Sequence, residues 1–189
     1  YGFTKDRSAG YRFSHTFTNR FGGDLPEELE KMFNDVMPGG FPMKILAIRG
    51  RNLASLEGDF EIDFTVEPLL SAGIFAISGP TGAGKSTLLD TMCLALFART
   101  PRTDQAKENN VKLQDVSNEQ LSQSDPRFLL RRGTSSGFAE VDFMALNGHR
   151  YRTRWSVARA RDKENGRLQN PRLALYNLDK EEEEQGTRS

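Results

Sequence analysis

Gly79-Pro80-Thr81-Gly82-Ala83-Gly84-Lys85-Ser86-Thr87 is the stretch on which the fold turns, because it satisfies the pattern Gly-x-x-x-x-Gly-Lys-Ser. Just before it, Ile74, Phe75, Ala76 and Ile77 predict a buried strand over Gly73 to Ser78. Just after it, Leu88, Leu89, Met92, Cys93, Leu94, Leu96 and Phe97 predict a helix from about Lys85 to Ala98, apolar nearly all round and therefore buried. Strand, glycine-rich loop and helix N-terminus in that order separate a phosphate loop from a glycine-rich turn with an incidental Lys-Ser pair. The fold class that follows is α/β, of the P-loop NTPase type.

The residue types in the loop fit that chemistry. Triphosphate oxygens need several N–H donors converging from one side, and Gly82 and Gly84 leave the approach free of side chains. The amides of Gly82 to Thr87, with Gly79, Thr81 and Ala83 shaping the turn, form the expected cradle. Lys85, the candidate catalytic residue, supplies a positive point charge to the β and γ phosphates. The Ser86 hydroxyl is placed to ligate Mg²⁺, and Thr87 suits the α phosphate. Neither the Asp-x-x-Gly switch nor the Asn-Lys-x-Asp base reader of a GTPase occurs downstream, so ATP is the expected nucleotide. No motif excludes a small-metabolite kinase. The strands placed before the loop argue instead for an ABC-type ATPase head.

Those strands begin at Lys44 to Arg49, followed by Phe60, Ile62, Phe64 and Val66 alternating with Glu61, Asp63 and Thr65, which predicts a half-buried antiparallel strand. Further strands are expected over Phe138 to Leu146, Arg150 to Ala158 and Arg172 to Leu178. The acidic run Glu181 to Glu184 reads as a solvated turn or unfinished element, and polar Thr100 to Ser124 as a long loop or mobile insertion. Residues 1–42 form an extension outside the expected head, which occupies residues 43–189. Within the extension, Asp24 as N-cap, Pro26 in the first turn and a stripe of Leu25, Leu29, Met32, Phe33 and Val36 predict one amphipathic helix, stopped by Pro38-Gly39-Gly40.

Composition sets outer bounds. At 189 residues the chain holds one ordinary domain plus an appendage. Lys plus Arg and Asp plus Glu number 26 each, so bulk charge argues neither for nor against nucleic acid. Cys93 is the single cysteine, which excludes an internal disulfide and points to a reducing, cytoplasmic setting; within the expected helix it reads as a core residue and not a nucleophile. No apolar leader or membrane-length stretch is present, so no membrane partner is expected.

Local charge is more telling. Arg150, Arg152 and Arg154 alternate with Tyr151, Thr153 and Trp155, so three guanidinium groups share one strand face and are candidate DNA-backbone contacts. The competing reading is a solvated face, or one paired with acidic residues of the missing half of the head. Asn147-Gly148 by itself suggests a two-residue hairpin turn, which would set Phe143 opposite Arg152. A three-residue loop, Asn147 to His149, sets Phe143 opposite Thr153 and Val141 opposite Trp155. Burial favours the second register, with a glycine in the left-handed region and the arginines facing away from the core.

The chain also resembles a family. The stretches Met43 to Gly58, with Asn52-Leu53-x-Ser55-Leu56, then Ile62 to Thr65, Gly73 to Asp90 with the Gly-Pro-Thr form of the loop, and Leu94 to Pro101 are similar to the start of the bacterial SbcC family. The likeness resumes at Ala139 to Phe143, Tyr151-Arg152, Trp155-Ser156, Arg159 to Arg161 and Asn170 to Arg172. It implies the N-terminal half of an ABC-type, chromosome-maintenance-like head, with Ser55 joining the nucleotide site. It further implies an ATPase subunit of a DNA-repair and recombination nuclease complex, in which ATP binding and hydrolysis gate DNA access to an SbcD-like nuclease. The implied partners are that nuclease, DNA, the C-terminal half of the same head, and a second head in an ATP-bound homodimer; the implied location is cytoplasmic and nucleoid-associated. No glutamine-loop motif, Leu-Ser-Gly-Gly signature or apolar run ending in Asp-Glu is found, so these residues alone are expected to hydrolyse ATP hardly at all. A RecN- or RecF-like head and a non-hydrolysing nucleotide clamp are the rival readings.

Overall fold

The computed structural model describes residues 44–72, 76–106, 111–180 and 182–186. The helix expected near residue 24, with the rest of the 1–42 extension, lies outside them.

Lys44–Leu53 (β1) and Leu56–Asp63 (β2) form an antiparallel pair, but β2 lies earlier than the expected alternating strand: Phe64 to Val66 form a turn after it, with Val66 52% exposed. Leu56, Phe60 and Ile62 are partly covered on one face of β2, and Glu57, Asp59 and Glu61 are exposed on the other. After the phosphate loop, α1 spans Lys85–Phe97, close to the expected helix. Its buried side carries Cys93, Leu94, Ala95 and Leu96, but Leu89 is 46% exposed, so the helix is not covered all round as expected. The chain continues through Pro101–Ala106 (α2), Lys112–Gln114 (β3), Gln120–Ser122 (β4), Ser136–Met144 (β5), Arg150–Ala158 (β6), Arg172–Asn177 (β7) and Glu182–Gly186 (β8).

A six-stranded antiparallel sheet, ordered β2-β1-β5-β6-β7-β8, carries α1 on one face. Val141, Phe143, Tyr151, Trp155 and Leu175 pack with Leu94 and Leu96 of α1, and the rings of Phe143 and Tyr151 stack at 5.8 Å. Burying a side chain the size of Phe143 contributes about 1.5–3 kcal/mol, so this layer fixes the sheet under the helix.

Four further sequence expectations are corrected. First, Ala76 to Ser78 are not a strand: they are exposed, Ile77 by 49%, and no strand of the sheet reaches them to supply a ladder. Residues 73–75 of that expected strand lie outside the described ones.

Second, the described residues of Thr100 to Ser124 do not form one long loop; residues 107–110 lie outside them. Thr100 and Thr103 cap each other reciprocally, Thr103 N to Thr100 Oγ1 at 3.2 Å and Thr100 N to Thr103 Oγ1 at 3.0 Å, which starts α2 with Pro101 at its first position. The β3–β4 hairpin is closed by Asp115, whose amide donates to Glu119 O at 2.8 Å and whose carboxylate accepts from the Ser117 hydroxyl at 2.8 Å. That carboxylate also takes Arg159 Nη1 at 2.7 Å and Nη2 at 3.0 Å, in an ion pair whose side chains are 5% and 2% exposed. A polar stretch is thus ordered by one buried charge pair spanning distant sequence.

Third, of the two readings of the acidic run the element stands and not the turn: Glu182–Gly186 pairs as β8 with β7, and residue 181 lies outside the described ones.

Fourth, the β5–β6 register matches neither loop considered. Phe143 lies opposite Tyr151, Val141 opposite Thr153 and Ala139 opposite Trp155. The loop has three residues, Leu146 to Gly148, closed by Ala145 N to His149 O at 3.0 Å and Gly148 N to Ala145 O at 3.0 Å, with Gly148 at φ 79. Both this register and the expected one gather the apolar side chains. Only the observed one sets Glu140 opposite Arg154 and Asp142 opposite Arg152, whereas the expected one would set Glu140 opposite Ser156. It also gives the left-handed position to Gly148 and not to His149, so charge pairing and turn chemistry decide between two registers that burial cannot separate.

Candidate functional site

The phosphate loop sits between the N-terminus of α1 and the β1–β2 turn. Gly84 is the N-cap of α1 with φ 90, and Gly82 has φ 87, a conformation that costs an L side chain free energy. A Cβ on Gly84 would lie 2.5 Å from Leu56 Cδ2, so glycine is required there for space as well. Around Gly82 the same construction meets nothing within 4 Å, which leaves that side of the loop open. Lys85 Nζ donates to Gly79 O at 2.6 Å and Pro80 O at 2.8 Å, drawing the ammonium over the loop's own backbone.

Of the sequence-predicted residues, Gly79, Thr81, Gly82, Ala83 and Ser86 are exposed, Lys85 is half-buried, and Gly84 and Thr87 are buried. Ser55, distant in sequence, joins them: its hydroxyl lies 3.0 Å from Thr87 Oγ1. An open loop, a cation at its mouth and an exposed hydroxyl at the start of α1 suit a magnesium-bound triphosphate.

Sequence reasoning missed Arg131. Its side chain crosses from the segment before β5 to the β1–β2 turn, donating through Nη1 to Ala54 O at 3.3 Å and Ser55 O at 3.2 Å, and through Nη2 to Glu57 Oε2 at 3.0 Å. Arg131 follows the bridge between Leu130 and Leu53, a pairing that no local pattern announces.

The arginines of β6 face away from the core, as expected, but they are not free. Arg152 donates to Asp142 at 2.6 and 2.8 Å, and Arg154 donates to Glu140 at 2.8 Å while lying 3.8 Å above the Phe138 ring. Arg49 joins the ladder, reaching Asp142 at 2.6 Å and Glu61 at 2.7 Å. Burial pushes the Asp142 carboxyl up, yet the hydrogen bonds from Arg152 and Arg49 outweigh it and hold the pKa below the usual carboxylate range. Arg150 is held by Asp179, which accepts from its backbone N at 2.9 Å and its Nε at 2.8 Å. The missed signal was Glu140-x-Asp142, whose spacing matches that of the arginines across the hairpin.

Cys93 is a core residue, 2% exposed, with its thiol pushed up to about 12 by burial and by the nearby Asp90 and Asp104 charges.

Comparison with known proteins adds the family. The model of the AAA domain matches residues 47–188. The chain is 60% identical over 137 residues to the SbcC subunit of the nuclease SbcCD of Pseudomonas aeruginosa, a match covering 72% of this chain and 11% of the relative. It is 50% identical over 127 residues to the SbcC subunit of the nuclease SbcCD of Rhodobacter capsulatus, covering 67% of this chain and 10% of the relative. It is 32% identical over 101 residues to the DNA double-strand break repair Rad50 ATPase of Methanopyrus kandleri, covering 53% and 8%. The chain thus spans about a tenth of the length of the curated relatives it matches. With the phosphate loop seated on α1, the sheet packed beneath it and the family match running through most of its length, the chain belongs to the AAA domain family of P-loop ATPases.

Proposed function

We propose that this chain provides the nucleotide-binding part of the ATPase subunit of an SbcCD-like DNA-repair nuclease complex. The observation that carries the proposal is the loop from Gly79 to Thr87, left-handed at Gly82 and Gly84 and backed by Ser55 and Leu56. The similarity to SbcC chains supports the rest. Residues 43–189 are read as the N-terminal half of an ABC-type head.

Backbone amides of Gly79, Thr81, Gly82, Ala83 and Gly84 to Thr87 would hold the phosphates of ATP, with Ser86 contributing an oxygen to Mg²⁺. Magnesium-bound ATP supplies the phosphoanhydride whose hydrolysis drives the machine. Lys85 exchanges its two carbonyl acceptors for phosphate oxygens, Ser55 orients the Thr87 hydroxyl, and Leu56 keeps the loop pressed on α1.

On this reading the C-terminal half of the head, a second head and an SbcD-like nuclease complete the assembly. ATP binding and hydrolysis gate DNA access to the nuclease, in the cytoplasm beside the nucleoid. No helix among the described residues is long and apolar enough to cross a membrane. Contact of Arg150, Arg152 and Arg154 with DNA requires phosphates to draw these side chains from Glu140, Asp142 and Asp179, so their contribution is expected to be small.

Titration with a fluorescent ATP analogue tests the nucleotide site. Lys85→Ala is expected to remove binding in a protein that still melts like wild type, since the Lys85 ammonium donates to carbonyls of its own loop. Unchanged affinity in the folded variant would defeat the assignment.

A further inference from the structure

We propose that Arg131 is a positioning residue for the phosphate loop, acting through Ser55; this rests on the nucleotide-binding reading above. The β1–β2 turn touches the loop at two points. Ser55 Oγ meets Thr87 Oγ1 at 3.0 Å, and Leu56 packs where a Cβ on Gly84 would stand. Whatever fixes this turn therefore fixes the end of the loop.

The turn does not hold itself. Asn52 and Ala54 have φ of 52 and 47, left-handed conformations disfavoured for residues with a side chain, and they persist only where the surroundings impose them. Asn52 is restrained by its own side-chain amide, which accepts from Gly58 N at 2.9 Å and donates to Ser136 O at 3.0 Å. Ala54 and Ser55 have no such side chain. Their carbonyls are bound at 3.3 and 3.2 Å by one nitrogen of Arg131, whose other terminal nitrogen takes Glu57 at 3.0 Å. A planar fork can span these three acceptors, and an ammonium cannot cover them together.

The backbone around Arg131 is tied to the turn separately, by Arg131 N to Asn52 O at 2.9 Å and Ala54 N to Leu129 O at 2.7 Å. Removing the guanidinium thus leaves the junction of the chain segments in place. It frees the two carbonyls beside the loop and the exposed Glu57 carboxylate.

The test uses the full-length protein with Arg131→Gln, Arg131→Lys, Ser55→Ala and the Arg131→Gln/Ser55→Ala double variant. A fluorescent ATP analogue gives affinity, thermal unfolding gives stability, and amide hydrogen exchange at Ala83 and Leu88, whose amides donate to Pro80 O at 3.2 Å and Gly84 O at 3.0 Å, reports on the loop alone in protein stripped of nucleotide. Arg131→Gln is expected to weaken binding about tenfold, as loss of an outer support typically does, with faster exchange at Ala83 and Leu88 and little change in melting. Lysine should restore little, and in the Ser55→Ala background the Arg131→Gln substitution should cost no further affinity.

Unchanged affinity and exchange in Arg131→Gln, or losses that simply add to those of Ser55→Ala, would overturn the proposal. If Arg131→Gln melts far lower, Glu57→Gln replaces it, because the Glu57 side chain is 76% exposed. A roughly twofold weakening with faster loop exchange is then expected, and unchanged values overturn the proposal. A wild type that fails to bind the analogue defeats the nucleotide reading instead, while the exchange measurement still judges the turn.

Discussion

Replacing Asp115 by asparagine isolates the charge that organises residues 111–124. Asn keeps the shape of the side chain and its reach toward Ser117, but removes the negative charge facing Arg159, whose side chain is 2% exposed. Breaking a buried pair by neutralising one partner typically costs about 3–5 kcal/mol, because the remaining charge stays buried. Carried through to the whole fold at about 2–4 °C per kcal/mol for a chain of this size, that lowers the melting temperature by roughly 6–20 °C. If the β3–β4 hairpin opens separately, the same loss surfaces as fast amide exchange over Lys112–Gln114 and Gln120–Ser122 with a smaller shift in melting.

The pH dependence carries a definite sign. The hydrogen bond from Arg159, opposed by burial and aided by the Ser117 hydroxyl and amide, holds the Asp115 carboxyl well below the usual carboxylate range. A depressed folded-state pKa contributes stability above the ordinary value of about 4, and that stability is lost as pH falls. The gap between wild type and Asp115→Asn should therefore be full near neutrality and narrow on acidification. Calorimetry at stepped pH, joined to amide exchange, is the assay. Equal melting and equal hairpin exchange at neutral pH, or a gap indifferent to acid, would refute the reasoning. Arg167→Gln, at the exposed pair with Glu119, serves as the contrast and should change little.

Two further outcomes follow from the same geometry. Gly84→Ala must accept φ 90 and a methyl group 2.5 Å from Leu56 Cδ2; a cost of about 2–5 kcal/mol is expected in thermal unfolding, and Leu56→Ala should recover only the steric part. Cys93, 2% exposed and with its thiol pushed up to about 12, should resist maleimide in folded protein and react once denaturant is added; prompt labelling of the native state would contradict its burial.

Much of this architecture could be read from local pattern. Strand β1 announced itself as a short apolar run, β2 and β6 by alternation, β5 and β7 as further strand-like runs, and α1 by its apolar residues behind the glycine loop. Local signals also existed for α2, since Thr100-Pro101 is an N-cap followed by proline, but the surrounding polarity outweighed them. The hairpin at Asp115 was illegible for a different reason. Its anchor, Arg159, lies 44 positions away, and a buried ion pair leaves no periodic trace. The β5–β6 register shows the limit of hydrophobic reasoning, because a two-residue slip preserves which face is apolar, and Glu140, Asp142 and the placement of Gly148 distinguish the alternatives. At the site, the glycines and Lys85 were evident from spacing, and family likeness pointed to Ser55. Arg131 emerged only when the fold brought Leu130 beside Leu53.

The grip of Lys85 on Gly79 O and Pro80 O makes nucleotide capture an exchange reaction. An arriving phosphate does not simply gain a charge-assisted contact, because two carbonyls must give up theirs and find other donors. The net affinity from Lys85 is a difference between two sets of bonds and is smaller than the gross strength of its phosphate contacts. The same competition has a kinetic side: the ammonium is already parked within the loop, so engagement asks for a swing of one side chain and no rebuilding of the backbone.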